Sequence, residues 1–564
     1  MLIQKKRQII WVILLLATLF RLFIFWNVPL AYYTEQVFDD QLMCNYAVSL
    51  ASFKWLGEYS FVTLVKTISY PLFVALCHRC MIPYSIAIGL LCVASAGVFV
   101  KAIDRCVPSF MGKAGIYLLL LYSPIGFKTL VVQRTYQLAV VPYAVIFVFS
   151  CMIAIYLRRE EQEGFRGWAV GGAVSLPFFY YIRNDSIWIM PFVLTVMLVT
   201  LGSIFWKSRH ITKELIRKAL WVTLPVISLG VVTLGISGMN YFYYGEFVTG
   251  ERTGSEFAML MDRLYKIKDE DASTDVWCSN TAIRKAIEVS PTLKSIEKEI
   301  VYQENNWSAG TNEDMKGDMP MWVMRSALND AGCFESASKL RLFCGKAVEE
   351  LDEGFENGSL EEDGLLHLGG VQIQKEYIDN GKYWKDFKRY LLGVARYEGP
   401  VLTVWGTGVS TGDVRAIRQW EVFFKSFTTY PDVVSETGEI IKDPFALSNH
   451  KIQSCVNWNS AIFQKLSGLV NIIAVVGMIF ITVILVRDRR HWELWLCIVG
   501  MVLSAVLHVI AVVFFCSWFG EEMTKFVYMY LAGAYPLLQI AKYLIIYQSI
   551  RVLVRLREMK LDMN

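Results

Sequence analysis

Two adjacent carboxylates, Asp39 and Asp40, lie in the stretch Phe38-Asp39-Asp40-Gln41-Leu42, just beyond the first apolar run of the chain. Like charges so close repel one another, and at a membrane surface they are costly unless solvated or put to use. They fit a solvated loop or a helix N-cap, where Asp is favoured. They also fit a general base, with or without a bound metal, at the mouth of a membrane-facing cleft. Lys66 opens the apolar stretch Thr67-Ile68-Ser69-Tyr70-Pro71-Leu72-Phe73. It can snorkel to the lipid interface or neutralise a lipid phosphate. Arg134, in Gln133-Arg134-Thr135-Tyr136-Gln137, falls on the side of the membrane that basic residues avoid, and so needs an anionic partner or a lipid headgroup. Arg183 and Asp185 repeat the pattern beside Trp188, where they fit an Arg–Asp pair capping the next helix or a second cationic contact. Asn240 opens the aromatic run Tyr241-Phe242-Tyr243-Tyr244, an interface belt first and a sugar-stacking surface second.

Taken together, these residues put two acids, three cations and an aromatic belt on one face of one helical block. That is the chemistry required where a hydroxyl attacks a phosphate-activated carbon. A base takes the proton, cations hold the leaving phosphate, and a lipid tail stays in the bilayer.

The elements that must position these groups are membrane helices. Of 564 residues, 55% are hydrophobic and only 19% charged, more apolar surface than a water-soluble fold can hide. Apolar runs near 8–31, 84–101, 136–157, 166–182, 186–206, 219–241, 465–486, 492–516 and 525–548 are long enough to cross a ~30 Å hydrocarbon core. With 62–82 and 113–132 also in play, about ten crossings are expected of an all-α polytopic fold. Basic clusters at Lys5–Arg7, Arg158–Arg159, Lys207–Lys218, Arg487–Arg490 and Arg551–Lys560 mark the cytoplasmic side. They place both termini in the cytoplasm of a multi-pass plasma-membrane protein, with residues 32–61, 183–185 and 242–464 outside. The loops at 32–61 and near 134 share a side, so the three segments between them cannot all cross. Either 62–82, broken by Pro71, or 113–134 is the non-crossing one.

The chain divides into a helical block at 1–245, an extracytoplasmic soluble domain at 246–460 and C-terminal helices with a basic tail at 461–564. The soluble part reads as helical pieces such as 290–302, 321–331 and 335–351, the first announced by Ser290 as N-cap and Pro291 behind it. An acidic excess in 251–460 against a basic excess elsewhere reflects topology, and nothing supports a nucleic-acid partner. Cys278, Cys333, Cys344 and Cys455 allow disulfides or buried thiols. The six histidines form no ligand cluster. The glycine-rich run Trp405–Gly412 lacks dinucleotide-binding spacing, and the sequons at Asn184, Asn306 and Asn357 occur at chance frequency.

The order of the motifs resembles the GT-C superfamily of membrane glycosyltransferases, in particular bacterial relatives of protein O-mannosyltransferases and aminoarabinose transferases. The matching stretches are Phe38-Asp39-Asp40-Gln41 with Tyr46-Ala47, Lys66 through Phe73, Arg134-Thr135-Tyr136, Arg183-x-Asp185-x-x-Trp188-x-x-Pro191, and Asn240 to Gly245. The likeness spans roughly residues 1–250, and Gln137 stands where many relatives carry a second acid. The resemblance implies an inverting transfer of sugar from a polyprenyl-phosphate donor, embedded in membrane lipid, to an extracytoplasmic cell-envelope glycan, lipid or protein. It makes Asp39 the first choice of base and Asp40 the second. It assigns Lys66, Arg134 and Arg183 to the donor phosphate, gives supporting roles to Tyr136, Asp185 and Asn240, and leaves a divalent metal open as cofactor. A transporter or flippase, and a non-catalytic scaffold for the outer domain, are the competing readings. Charges gathered at helix ends rather than at mid-membrane speak against transport.

Overall fold

A computed structural model of the chain describes residues 2–562 apart from 162–163, 209, 271, 274, 364–366, 369–370, 373–377, 379–380, 400–409, 429–443 and 488–491. Most of the glycine-rich run at 405–412 and the basic residues 489–490 lie outside the described residues.

The fold is helical. The N-terminal block comprises α1 (Leu2–Asn27), α2 (Asp40–Ala51), α3 (Ser69–Arg79), α4 (Tyr84–Ala102), α5 (Phe110–Leu121), α6 (Val141–Leu157), α7 (Arg166–Tyr180), α8 (Met190–Lys207) and α9 (Lys213–Tyr244). Helix α6 has no polar face and is buried along nearly its whole length, as expected of a helix at the centre of a bundle. Helices α4, α7 and α8 pack around it, and α9 packs on α7 and α8. Helix α3 has 11 residues, about half of what a crossing needs, and it leans on α2. The short segment between the first loop and α4 is therefore the one at 62–82.

Among the described residues seven helical stretches are long and apolar enough to cross a membrane. Ten are not reached on length and composition, for three reasons. Helix α7 has 15 residues and α6 has 17, both short of the ~20 usually needed. The final stretch, Trp492–Glu558, also counts once although irregular backbone interrupts it at Gly520.

The segment after α9 comprises α10 (Glu256–Lys266), α11 (Asn280–Val289), α12 (Pro291–Lys294), α13 (Glu297–Trp307), α14 (Met319–Asp330), α15 (Ala337–Glu356), a two-residue antiparallel pairing of His367–Leu368 with Val371–Gln372, α16 (Lys382–Ala395) and α17 (Val414–Phe424). The Ser290 hydroxyl caps α12 by accepting from the Leu293 amide at 3.0 Å. The helix expected over 290–302 breaks at Ser295–Ile296 and restarts as α13. All twelve cysteines are free, with Cys278, Cys333 and Cys344 buried, which favours the buried-thiol reading.

Within the segment expected as one soluble domain, 246–460, the packing falls into two parts. Helices α10 to α15 share one hydrophobic core with Leu42, Tyr46, Leu56, Leu64 and Val65 of α2 and the stretch after it. Helices α16 and α17 instead join the core of the helical block through Tyr383, Tyr390, Val394, Ile417 and Trp420. The boundary at 460 also falls inside a continuous helix, α18 (Pro444–Arg487). The polar N-terminal half of α18 hides the continuation, because hydropathy marks only its apolar half. Helices α19 (Trp492–Phe515), α20 (Met523–Tyr530) and α21 (Ala534–Asp562) complete the chain, and α19 and α21 pack on α6.

Candidate functional site

Segment 30–34, just past α1, runs extended and is held on two sides. The Ala31 amide donates to the Gln133 carbonyl at 2.9 Å, and the Thr411 amide donates to the Tyr32 carbonyl at 2.9 Å. These bonds bring the loop that carries Asp39 beside the loop that carries Arg134. Asp39 occupies the N-cap position of α2, yet its side chain makes no capping bond. Its Oδ1 accepts instead from Lys66 Nζ at 2.5 Å and from Tyr136 Oη at 3.2 Å. Asp40, in the first turn of α2 and fully buried, takes the Arg134 fork: Nε lies 2.9 and 3.0 Å from its two oxygens, and an Nη donates as well. The rings of Tyr33 and Tyr136 lie 5.5 and 4.4 Å from the Arg134 guanidinium carbon. This pair is a built-in counter-ion arrangement, and Asp40 does not line the cavity described next.

The cavity measures about 2090 Å³, above the ~300–1000 Å³ of ordinary small-molecule sites. Asp39, Lys66, Lys128, Arg134, Tyr136 and Arg183 are in its wall, as are Gln137, Asp185 and Trp188. An apolar wall comes from Ile187, Pro191, Leu229, Leu507, Ile510 and Ala511, all within helical stretches long and apolar enough to cross a membrane. Arg252, Asp318, Met319 and Trp322 line it as well. One chamber thus combines an apolar wall with polar, charged lining.

The remaining expected residues separate. Arg183 grips Asp185 through two bonds of 2.7 and 2.9 Å and lies over the Tyr530 ring. The Asp185 side chain makes no helix-capping bond, so the pair exists but does not cap. Asn240 stands apart from the cavity. It accepts from Trp55 Nε1 at 2.8 Å and donates to the Val248 carbonyl at 2.7 Å, tying the first loop to the end of α9. Gln137 donates to Tyr136 Oη at 3.2 Å and so orients the hydroxyl that contacts Asp39. Among the described residues no group of three or more His, Cys, Asp or Glu side chains is placed to hold a metal.

The two neighbouring acids are driven apart electrostatically. Burial pushes the Asp39 carboxyl up, but Lys66, Arg134 and Tyr136 together outweigh it and hold it down at about 2. Burial raises Asp40 from its ordinary value against the pull of Arg134. Asp39 is therefore ionised, reaches the cavity and is 38% exposed, whereas Asp40 is sealed.

This arrangement has a testable sign. A depressed carboxylate contributes stability above its ordinary value near 4, and the contribution is lost as pH falls through the folded value. Lys66→Met removes the main cause of the depression. The melting-temperature gap between wild type and Lys66→Met should then be full above about pH 4 and close as pH falls toward 2. A gap constant from pH 7 to 3 would show that Lys66 does not set the Asp39 charge.

Several wall residues carry no signal that the motifs capture: Lys128, Arg252, Asp318, His508, Tyr528 and Tyr530. His508 stacks on Trp188 with ring centres 4.1 Å apart. The available signal was a polar residue inside an otherwise apolar run, which His508 and Lys128 both display. Comparison of the chain with protein-family models, with curated proteins and with solved structures found no match.

Proposed function

We propose that this chain is a GT-C-like, inverting glycosyltransferase that moves a sugar from a polyprenyl-phosphate donor to an extracytoplasmic acceptor. Its membrane arrangement is about ten crossings in the plasma membrane with both termini cytoplasmic. Three of those crossings come from α6, α7 and the split of the last apolar stretch into two spans. The observation that carries the reading is a single chamber whose wall is apolar on the membrane side and holds a carboxylate among cations at its polar end. A lipid-linked donor needs both surfaces at once, and a transported solute needs only a polar path.

In the reaction, an acceptor hydroxyl oxygen attacks the anomeric carbon as the bond from that carbon to the phosphate oxygen breaks. Asp39 takes the hydroxyl proton, and the electron pair leaves on the lipid phosphate. In the resting protein Asp39 is too weak a base, because Lys66 holds it. Donor phosphate that draws Lys66 away leaves burial as the main influence on Asp39 and makes it a stronger base. Binding of the donor therefore arms the base. The acceptor, a glycan, lipid or protein, enters at the Arg252–Trp322 end.

The test is direct. Purified protein in lipid nanodiscs is given polyprenyl-phosphate-linked sugars, and formation of free polyprenyl phosphate is followed. Turnover by wild type supports the enzyme. Unchanged donor throughout a panel of sugars and envelope acceptors favours the scaffold reading.

A further inference from the structure

Six cationic side chains line the chamber: Lys66, Lys128, Arg134, Arg183, Arg252 and Lys525. Five of them already hold a carboxylate: Asp39, Asp40, Asp185, Asp318 and Glu522 respectively. Lys128 is the exception. Among the described residues it has no carboxylate partner, and its Nζ donates to the Gly399 carbonyl at 3.0 Å. The residue is 5% exposed and lines the chamber. An ammonium has three donors, and a buried one is costly unless an anion meets it. The nearest aromatic ring, Tyr528, lies 5.9 Å away and offers only weak compensation.

The local backbone explains the placement. Pro124–Phe127 forms a tight 3-10 turn, and Thr129–Gln133 then forms a π-helical turn that ends beside Arg134. Such wide turns are rare and concentrate at functional sites. This one sets Lys128 and Arg134 on the wall of the same chamber, with Arg134 spent on Asp40 and Lys128 unspent.

Resting on the donor reading above, we propose that Lys128 is the anion-binding residue for the phosphate monoester that leaves as the lipid product. Arg134 and Arg183 are counter-ions to Asp40 and Asp185, and Lys66 is shared between Asp39 at rest and the donor phosphate once it binds. In a sugar phosphodiester the phosphate carries one negative charge. Once the carbon–oxygen bond breaks, the departing monoester carries close to two. A cation with no carboxylate to share it gains most as that charge develops, so its contribution falls on the transition state and product more than on the donor.

The experiment uses the full chain in nanodiscs and four probes: decyl phosphate, methyl decyl phosphate, decanol and inorganic phosphate. Wild type is expected to bind decyl phosphate more tightly than methyl decyl phosphate. Lys128→Met should bind decyl phosphate roughly tenfold more weakly and lose the preference, and Lys128→Arg should restore it. A role confined to packing would not alter the preference between two phosphates. Amine acetylation read by mass spectrometry supplies a measurement without substitution: decyl phosphate should protect Lys128, and decanol should not. Equal binding by wild type and a folded Lys128→Met overturns the proposal and leaves the donor reading intact. Failure of wild type to bind either alkyl phosphate removes the donor reading and the proposal together. Inorganic phosphate bound as tightly as decyl phosphate makes the site one for free phosphate and overturns the lipid assignment.

Discussion

Asp39→Asn is expected to lower sugar transfer roughly 10²–10⁴-fold, the range a lost general base produces, with a fall in melting temperature no larger than that of Lys66→Met at neutral pH, since both break the same pair. Asn keeps the shape and can still accept from Tyr136 and Lys66, but it cannot take a proton from a hydroxyl. Lys66 stays beside the cavity wall, so no sealed charge is left behind. The comparison with Asp40→Asn gives the result its force. Asp40 is closed off from the chamber and holds Arg134, so its loss leaves a buried guanidinium short of its anion and acts chiefly on folding. Turnover measured beside thermal unfolding separates the two carboxylates. An Asp39→Asn protein that turns over at the wild-type rate ends the assignment of the base.

The second large effect is on the fold. Arg325 is fully buried and donates to Glu251 at 2.7 Å and to the Phe61 and Thr63 carbonyls at 2.6 and 3.4 Å. Its guanidinium lies between the rings of Phe257 and Phe334. Tyr59 donates to the other Glu251 oxygen at 2.6 Å. This cluster pins residues 59–63 onto α14 and the segment before α10, a few residues before Lys66. Arg325→Ala strands the Glu251 charge and should cost about 3–5 kcal/mol, as breaking a buried pair does. Arg325→Met with Glu251→Leu should recover much of that loss, because the stranded charge is gone. Chemical unfolding of the three proteins checks both statements, and equal stability of the single and double variants would contradict the role given to the pair.

The helices were legible where hydropathy alone defines them. The run at 84–101 became Tyr84–Ala102, and that at 186–206 became Met190–Lys207 with a short turn before it. Legibility failed for α16, whose Lys385, Lys388 and Arg389 read as soluble. Its other face presents Tyr383, Tyr390 and Val394 to the membrane block, an amphipathic pattern that composition averages away. At the site, sequence order gathered the correct loops but could not say which charges pair. Lys66 and Asp39 are 27 residues apart, and Arg134 and Asp40 are 94, so only the fold reveals that expected phosphate ligands are already engaged. Lys128 was not singled out because it stands alone inside the apolar run at 113–132, with no motif around it. The C-terminal contribution to the chamber was invisible for a plainer reason: apolar helices carry no motif.

That last contribution bears on how the protein is made. Leu507 through Tyr530 form part of the chamber wall facing Arg183 and Asp185, although more than three hundred residues separate them along the chain. A ribosome adding about 5–20 residues per second takes tens of seconds to travel that distance. Throughout that interval the nascent N-terminal half carries its charged loops with one side of the chamber missing. Insertion of the final helices is therefore the step at which the polypeptide first encloses a lipid-sized space. A ribosome-stalled chain ending near residue 490 would be inserted in the membrane with that space still open.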